Sequence, residues 1–285
     1  MGNEQTISEP LRASGEKGVH SKIDWINEAE SKLVSALILR EAAKEKLLEL
    51  KQITSSRRAS SQDVFNLLQP RESANKSSFL LLGYAIELLL KSGVVSLLIY
   101  APKHLLERKV QNYSHNLLRI SDDLHIKLNK AERGLLTKLS SFIVNETRYP
   151  VTVNSIHEYC EKTNKITAQL SSEKLFELGV GIYENIKSVI QDIDGTEQNP
   201  KLYNKVDIDS DGYVTFRVGG SLPPILIIKY SGNQVTFGKN NLSDLKLLIE
   251  HNYSNCIQSH LMLKSWDYAD IYLVCEKKGL TKLSR

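Results

Sequence analysis

Apolar residues recur at helical spacing through roughly the first two thirds of the chain and switch to alternation after about residue 200. Over 21–53 the apolar positions Ile23, Trp25, Ile26, Leu33, Leu37, Ile38, Leu47 and Leu48 are separated by Glu, Lys and Arg, the pattern of a long amphipathic helix. Residues 78–100 are apolar on nearly every face, with Glu87 and Lys91 as the only charges. Only a buried helix or a bilayer span reads this way. In a span both charges would lie near mid-membrane, at about 2.5 to 3.5 kcal/mol each. The reading is therefore the central helix of a bundle. Glu87 and Lys91 are four apart with the acid first, the favourable order for an ion pair on one helical face. Such a pair either sits on the bundle seam or solubilises an exposed stripe. A short helix at 62–68 precedes this element, and Pro70 is expected to interrupt the two.

Pro102 can open the next helix, since a first turn has no partner for the missing N–H. Helical patterns follow at 114–128, with Leu117, Leu118, Leu124 and Ile126, and at 135–144. The residue before Pro150 avoids the helical region, so Arg148-Tyr149-Pro150 forces an extended turn. The stretch with His157 and Cys160 is mixed, and 171–193 is a strong helix capped by Ser171 or Ser172. At 192–200 the composition turns to Asp-Ile-Asp-Gly-Thr-Glu-Gln-Asn-Pro, a domain boundary. Short β-branched or aromatic runs at 206–208, 213–218, 224–230 and 234–237 then predict an antiparallel meander. Ser243 is expected to cap a helix through Leu261 that covers one face of the sheet, and 266–274 is a last strand or helix. The fold class expected is mainly α: a disordered tail at 1–20, a helical bundle at 21–195 and an α+β domain at 196–285.

Composition narrows the partners. With 285 residues, 41% hydrophobic and 25% charged, the chain reads as an ordinary globular protein. Its formal charge of +4 permits an RNA or nucleotide partner without the charge density of a dedicated nucleic-acid binder. Three widely spaced cysteines suggest neither a disulfide framework nor a zinc site, which fits a reducing cytoplasm. The N-terminus lacks the pattern of a secretory signal. The polar run at 54–61, with Arg57 and Arg58, is a solvated linker or an RNA contact. The segment 207–212 begins like a calcium loop, but position twelve is Val218 where Glu is required, so a hairpin turn is expected. Gly219-Gly220-Ser221 lacks the Lys of a phosphate loop. No metal and no cofactor are expected.

Three short motifs in order, Ala85-Ile86-Glu87-Leu88-Leu89-Leu90-Lys91, Ser114-His115-Asn116-Leu117 and Arg148-Tyr149-Pro150, resemble the HEPN domain, the higher eukaryote and prokaryote nucleotide-binding helical bundle. That family usually shows Ala, two residues and Glu-x-x-x-Lys on its second helix, then Gly-His-Asp-Leu, then Arg-Tyr-Pro before its last helix. The match covers about 21–193 and departs at Ser114 for Gly and Asn116 for Asp. The resemblance implies an up-and-down bundle pairing as a homodimer. Its members include RNA-cleaving proteins of toxin and antiphage systems, and modules that only bind. Nuclease members carry an Arg, four to six residues and a His, which Arg108 with His115 and Arg119 with His125 match in spacing. The family's polar residue after the Arg is replaced by Lys109 and Ile120.

Cleaving RNA through its own 2′-hydroxyl needs a base, a cation at the phosphate and an acid for the leaving oxygen. The candidates implied are His115, His125, Arg148 and Arg119, supported by Glu87, Lys91, Arg108 and Tyr149. His115 at a helix start is a base or a structural residue, and Arg148 clamps a phosphate or pairs with Glu87. Two readings follow: a metal-independent endoribonuclease, or a non-catalytic module for a nucleotide or a protein. In both, the C-terminal domain can meet a partner protein, and no membrane is involved.

Overall fold

The structure is a computed structural model that describes residues 17–55, 60–146, 155–252 and 257–283. It is mainly helical, with one five-stranded sheet in its C-terminal part. The chain forms two compact units that interleave in sequence. One comprises Ile23–Ser92 and Tyr113–Ser188; the other comprises the described residues of Met1–Lys22, Gly93–Asn112 and Val189–Arg285. The second unit thus resumes close to the composition change at 192–200, but it also takes an internal stretch.

In the first unit, α1 (Lys22–Ser55) buries Ala29, Leu33, Ala36, Arg40 and Ala43 on one face. Helix α2 (Ser61–Leu97) begins here and carries the core. Phe79, Leu82, Ile86, Leu89 and Leu90 are fully buried. Pro70 lies inside α2 and does not interrupt it. The residue is exposed, so the carbonyl left without a partner one turn earlier can be hydrated. By length and composition α2 could cross a membrane, and 72% of its most apolar window is buried within the protein.

Helix α3 (Lys103–Asn112) is opened by Pro102, whose carbonyl receives the N–H groups of Leu105 and Leu106. It belongs to the second unit. Back in the first, the helical pattern at 114–128 yields only α4 (Leu117–Asp123). His125 takes φ of 52°, and Ile126 N–H reaches the Ser121 carbonyl, a left-handed stop of Schellman type that outweighs the apolar periodicity beyond it. Helix α5 (Lys130–Ser141) starts in a capping box between Asn129 and Glu132 and runs into a π-helical turn, Phe142–Glu146. The stretch read as mixed is α6 (Ile156–Leu170), capped by Ser155.

Helix α7 (Glu173–Asp192) closes this unit, with Ser172 Oγ accepting from Leu175 N–H. A Cβ on Gly179 would come 2.7 Å from Leu82 Cδ2, so glycine lets α7 approach α2 closely. The ring of Phe79 meets Phe142 and Phe176 edge-on at 5.8 and 5.4 Å.

The second unit is built on β1 (Leu202–Ile208), β2 (Gly212–Val218), β3 (Ile225–Lys229), β4 (Asp270–Cys275) and β5 (Gly279–Lys282), in spatial order β1-β2-β3-β4-β5. Pairing is antiparallel except between β3 and β4, which run parallel, so the sheet is mixed and not the antiparallel meander expected. Between them lie α8 (Gly232–Thr236), α9 (Leu242–Asn252) and α10 (Ile257–Ser265), and a parallel pair needs such a crossover.

The expected strand at 234–237 is α8, because Ser231 and Gln234 form a reciprocal capping box that holds the chain helical. Asn241 caps α9 by accepting from Asp244 N–H, in place of Ser243. One sheet face packs Val206, Val214, Phe216, Leu226 and Ile228 against Leu245, Ile249, Met262 and Trp266. The other face is buried as well, with Thr215, Arg217, Ile225, Ile227 and Tyr272. Lys109 of α3 lies 5.9 Å over the Tyr272 ring, and Tyr100 stands 5.0 Å from Tyr203, so the end of α2 and helix α3 cover it.

Candidate functional site

Among the described residues, three of the expected candidates come together on the seam of the first unit. Glu87 sits in the apolar centre of α2, 4% exposed, where a carboxylate needs partners. It has two. Lys91 Nζ, one turn along the same helix, donates to Oε1 at 2.6 Å. His115 Nδ1 lies 2.8 Å from Oε2. A carboxylate can only accept, so Nδ1 is the nitrogen that donates to Glu87, and Nε2 is the ring nitrogen left for another partner. The imidazole is 29% exposed where the carboxylate is 5%, so the ring bridges a buried anion and solvent.

Local backbone chemistry places that imidazole. Tyr113 is buried and its hydroxyl donates to Asp123 at 2.5 Å, which anchors the start of the loop. Ser114 then adopts φ of 50°, turning the chain so that His115 faces α2. Asn116 caps α4 through Oδ1, which accepts from Arg119 N–H at 3.0 Å. Leu117 N–H donates to Ser140 Oγ of α5 at 3.1 Å, fixing the first turn of α4 to the bundle. The Tyr84 ring, three residues before Glu87 on the same face of α2, meets His115 edge-on at 6.2 Å.

The other candidates do not join this group. Arg119 is exposed on α4, with its guanidinium 5.6 Å over the Tyr113 ring. His125 is an exposed residue at the left-handed stop after α4. Arg108 belongs to α3 in the second unit, where Nη1 donates to the Glu276 carbonyl at 3.0 Å. Arg148 and Tyr149 lie outside the described residues, as do Arg57 and Arg58. His157 is exposed on α6 and stands 3.8 Å from Glu161.

Two further polar networks were not legible in advance. In the first unit Arg40, 3% exposed, donates to Glu173 at 2.9 Å, Asn75 at 2.7 Å and the Leu170 carbonyl at 2.8 Å. Its guanidinium also faces the Phe79 and Phe176 rings at 5.6 and 5.0 Å. An arginine between Leu39 and Glu41 on an amphipathic helix gives no sequence signal of such a role. In the second unit Asp194 accepts from Lys22 and Lys201, each at 2.8 Å. Burial pushes the Asp194 carboxyl up, but the bonds and charges of Lys201 and Lys22 outweigh it and hold the group below its usual range. Arg217, buried on β2, donates to the carbonyls of Ile193 and Gly219.

Metal chemistry finds no cluster: among the described residues no group of three or more His, Cys, Asp or Glu is placed to hold an ion. In the turn between β1 and β2, Asp209 accepts from Ser231 Oγ at 2.7 Å and Asp211 from Gly232 N–H at 3.1 Å. These carboxylates tie the β1–β2 hairpin to the start of α8. A shallow cavity of about 300 Å³ between α8 and α9 is lined by Gln234, Lys239, Asp244, Leu247, Leu248 and His251. It is removed from Glu87 in the chain and lies within the other unit. No family model, no curated protein and no solved structure matches this chain.

Proposed function

We propose that this chain is an HEPN-type protein acting on RNA in the cytoplasm, in a toxin or antiphage system, as a metal-independent endoribonuclease with His115 as its proton-transfer group. The observation that carries the reading is the buried Glu87 carboxylate shared between Lys91 and His115 Nδ1. A carboxylate behind an imidazole sets its tautomer and orientation, and the outer nitrogen can then take a proton from a ribose 2′-hydroxyl. The oxygen freed attacks the adjacent phosphorus, the P–O5′ bond breaks, the 5′-oxygen receives the proton that His115 took up, and the products are a 2′,3′-cyclic phosphate and a 5′-hydroxyl. Arg119 or Arg148 would supply the cation at the phosphate. In this reading the second unit selects the RNA or a partner protein.

The two departures from the family pattern are also accommodated. Ser114 holds the positive φ that a glycine adopts most easily, and Asn116 performs the capping that an aspartate performs. A second reading, a non-catalytic binding module, is favoured by the arginines at nuclease spacing, since Arg108 and Arg119 are engaged with Glu276 and Tyr113.

The test is incubation of tRNA and total RNA with the purified protein in EDTA, beside His115→Ala and Glu87→Gln. Discrete fragments that persist in EDTA, vanish with His115→Ala and end in cyclic phosphate support the nuclease. Intact RNA in every lane, from folded protein, removes it and leaves the binding module, for which RNA affinity is then measured by fluorescence anisotropy.

A further inference from the structure

Two local devices build the cavity between α8 and α9. Lys239 N–H donates to the Gln234 carbonyl at 2.8 Å and Gly238 N–H to that of Val235 at 3.3 Å, a Schellman stop with Gly238 at φ of 66°. The stop folds the chain back, so Gln234 and Lys239 line the same cavity. Helix α9 supplies Asp244, Leu247, Leu248 and His251, spaced i, i+3, i+4 and i+7 along one helical face, while Leu245 and Ile249 pack on the sheet.

The polar groups there have capacity left. Gln234 is 7% exposed, and its Oε1 is committed to Ser231 N–H at 3.0 Å, which leaves Nε2 as the side-chain donor. Asp244 receives Asn241 Nδ2 on Oδ2 at 2.7 Å, which leaves Oδ1. His251 Nδ1 donates to the Leu247 carbonyl at 2.7 Å, which leaves Nε2. Lys239 and Asp244 bring opposite charges to one cavity, yet among the described residues no ion pair joins them.

We propose that this cavity binds a free α-amino acid with a large apolar side chain. The carboxylate of the ligand meets Lys239 Nζ and Gln234 Nε2, its ammonium meets Asp244, and its side chain lies along Leu247 and Leu248 toward His251. The charges select the class. A simple anion would face Asp244, a simple cation would face Lys239, and a wholly apolar molecule would strip water from both. A zwitterion gives each charge a partner. Asp244 and His251 are about 10 Å apart along the helix axis, room for a side chain as long as that of methionine or phenylalanine. A volume of about 300 Å³ lies at the lower end of ligand pockets and suits so small a molecule. The inference is independent of the RNA reading, because it uses no residue of the Glu87 site.

The experiment is an NMR titration of the backbone amides of the full chain with phenylalanine, leucine and methionine, beside phenylalaninamide and N-acetylphenylalanine, repeated on Lys239→Ala. Lys239 is exposed, and circular dichroism checks that its variant is folded. Saturable shifts centred on Gln234, Lys239, Leu248 and His251 are expected with the three amino acids. Affinity should fall at least about tenfold for phenylalaninamide and for N-acetylphenylalanine, each of which lacks one charge, and equally for phenylalanine on Lys239→Ala. Lys239→Ala should not weaken phenylalaninamide further, since that ligand has no carboxylate to lose. Unmoved amides up to the solubility limit of the ligands, shifts confined to other residues, or an affinity indifferent to the blocked ligands or to Lys239→Ala would each overturn the proposal.

Discussion

Glu87 Oε2 and His115 Nδ1 lie 2.8 Å apart, joining the middle of α2 to the loop before α4 across 28 residues of sequence. The contact turns an isolated histidine into one with a set tautomer. Glu87→Gln keeps the shape but replaces a double acceptor with a group that has one oxygen. The expected loss is about 1–3 kcal/mol, read from urea denaturation. A double-mutant cycle with His115→Ala should return a coupling energy of about 0.5–3 kcal/mol, and strict additivity would show that the pair is only adjacent.

Arg40 is the cation whose removal should hurt the bundle most. Truncation strips three hydrogen bonds and two aromatic faces from a site closed to water. Arg40→Ala is expected to cost about 1–3 kcal/mol, because Asn75 and the Leu170 carbonyl lose their donor, while Glu173 keeps Lys44. Arg40→Lys, a single point charge without the planar fork, should recover only part of this. A midpoint for Arg40→Ala within error of the parent would sink the account.

Two glycines give opposite expectations. Gly220 has φ of 68°, and a Cβ there would run into the Ile193 carbonyl oxygen, so Gly220→Ala should destabilise by about 1–3 kcal/mol or more. Gly134, inside α5, has open space around the position of its Cβ. Gly134→Ala should stabilise by about 0.5–1 kcal/mol through helix propensity and a less disordered unfolded chain. Differential scanning calorimetry of both variants reads the two signs.

Asp194 makes the stability of the second unit sensitive to acid. Its carboxyl is held below the usual value of 3.8 in the folded protein. A depressed folded pKa means a contribution present in full above the unfolded value and lost as pH falls through the lower folded one. Denaturation midpoints of the parent should therefore fall between about pH 5 and pH 3. Asp194→Asn should be less stable near neutrality and show a shallower fall, and parallel curves would contradict the assignment.

The apolar periodicity was enough to read α1, the buried middle of α2, α7 and three of the five strands, because each repeats a local pattern that only one secondary structure can bury. The Glu87–Lys91 pair was equally visible, since four residues on a helix are always neighbours. Local signals also existed where the reading failed: the box of Ser231 with Gln234 shows in the sequence, but a β-branched residue and an aromatic beside it argued for a strand. The end of α4 at a left-handed histidine gave no such warning, because only a few per cent of residues other than glycine adopt that conformation and apolar Ile126 continued the helical pattern beyond it.

What only the tertiary structure decided were relationships across long stretches of chain. These are the parallel pairing of β3 with β4, the assignment of Gly93–Asn112 to the unit that holds the sheet, the burial of Arg40, and the arrival of His115 rather than Arg108 or Arg119 at Glu87. Sequence spacing fixes neighbours within a few residues. Which carboxylate meets which cation from a distant segment depends on how whole helices and strands pack, and that is settled by the burial of apolar surface summed over each unit.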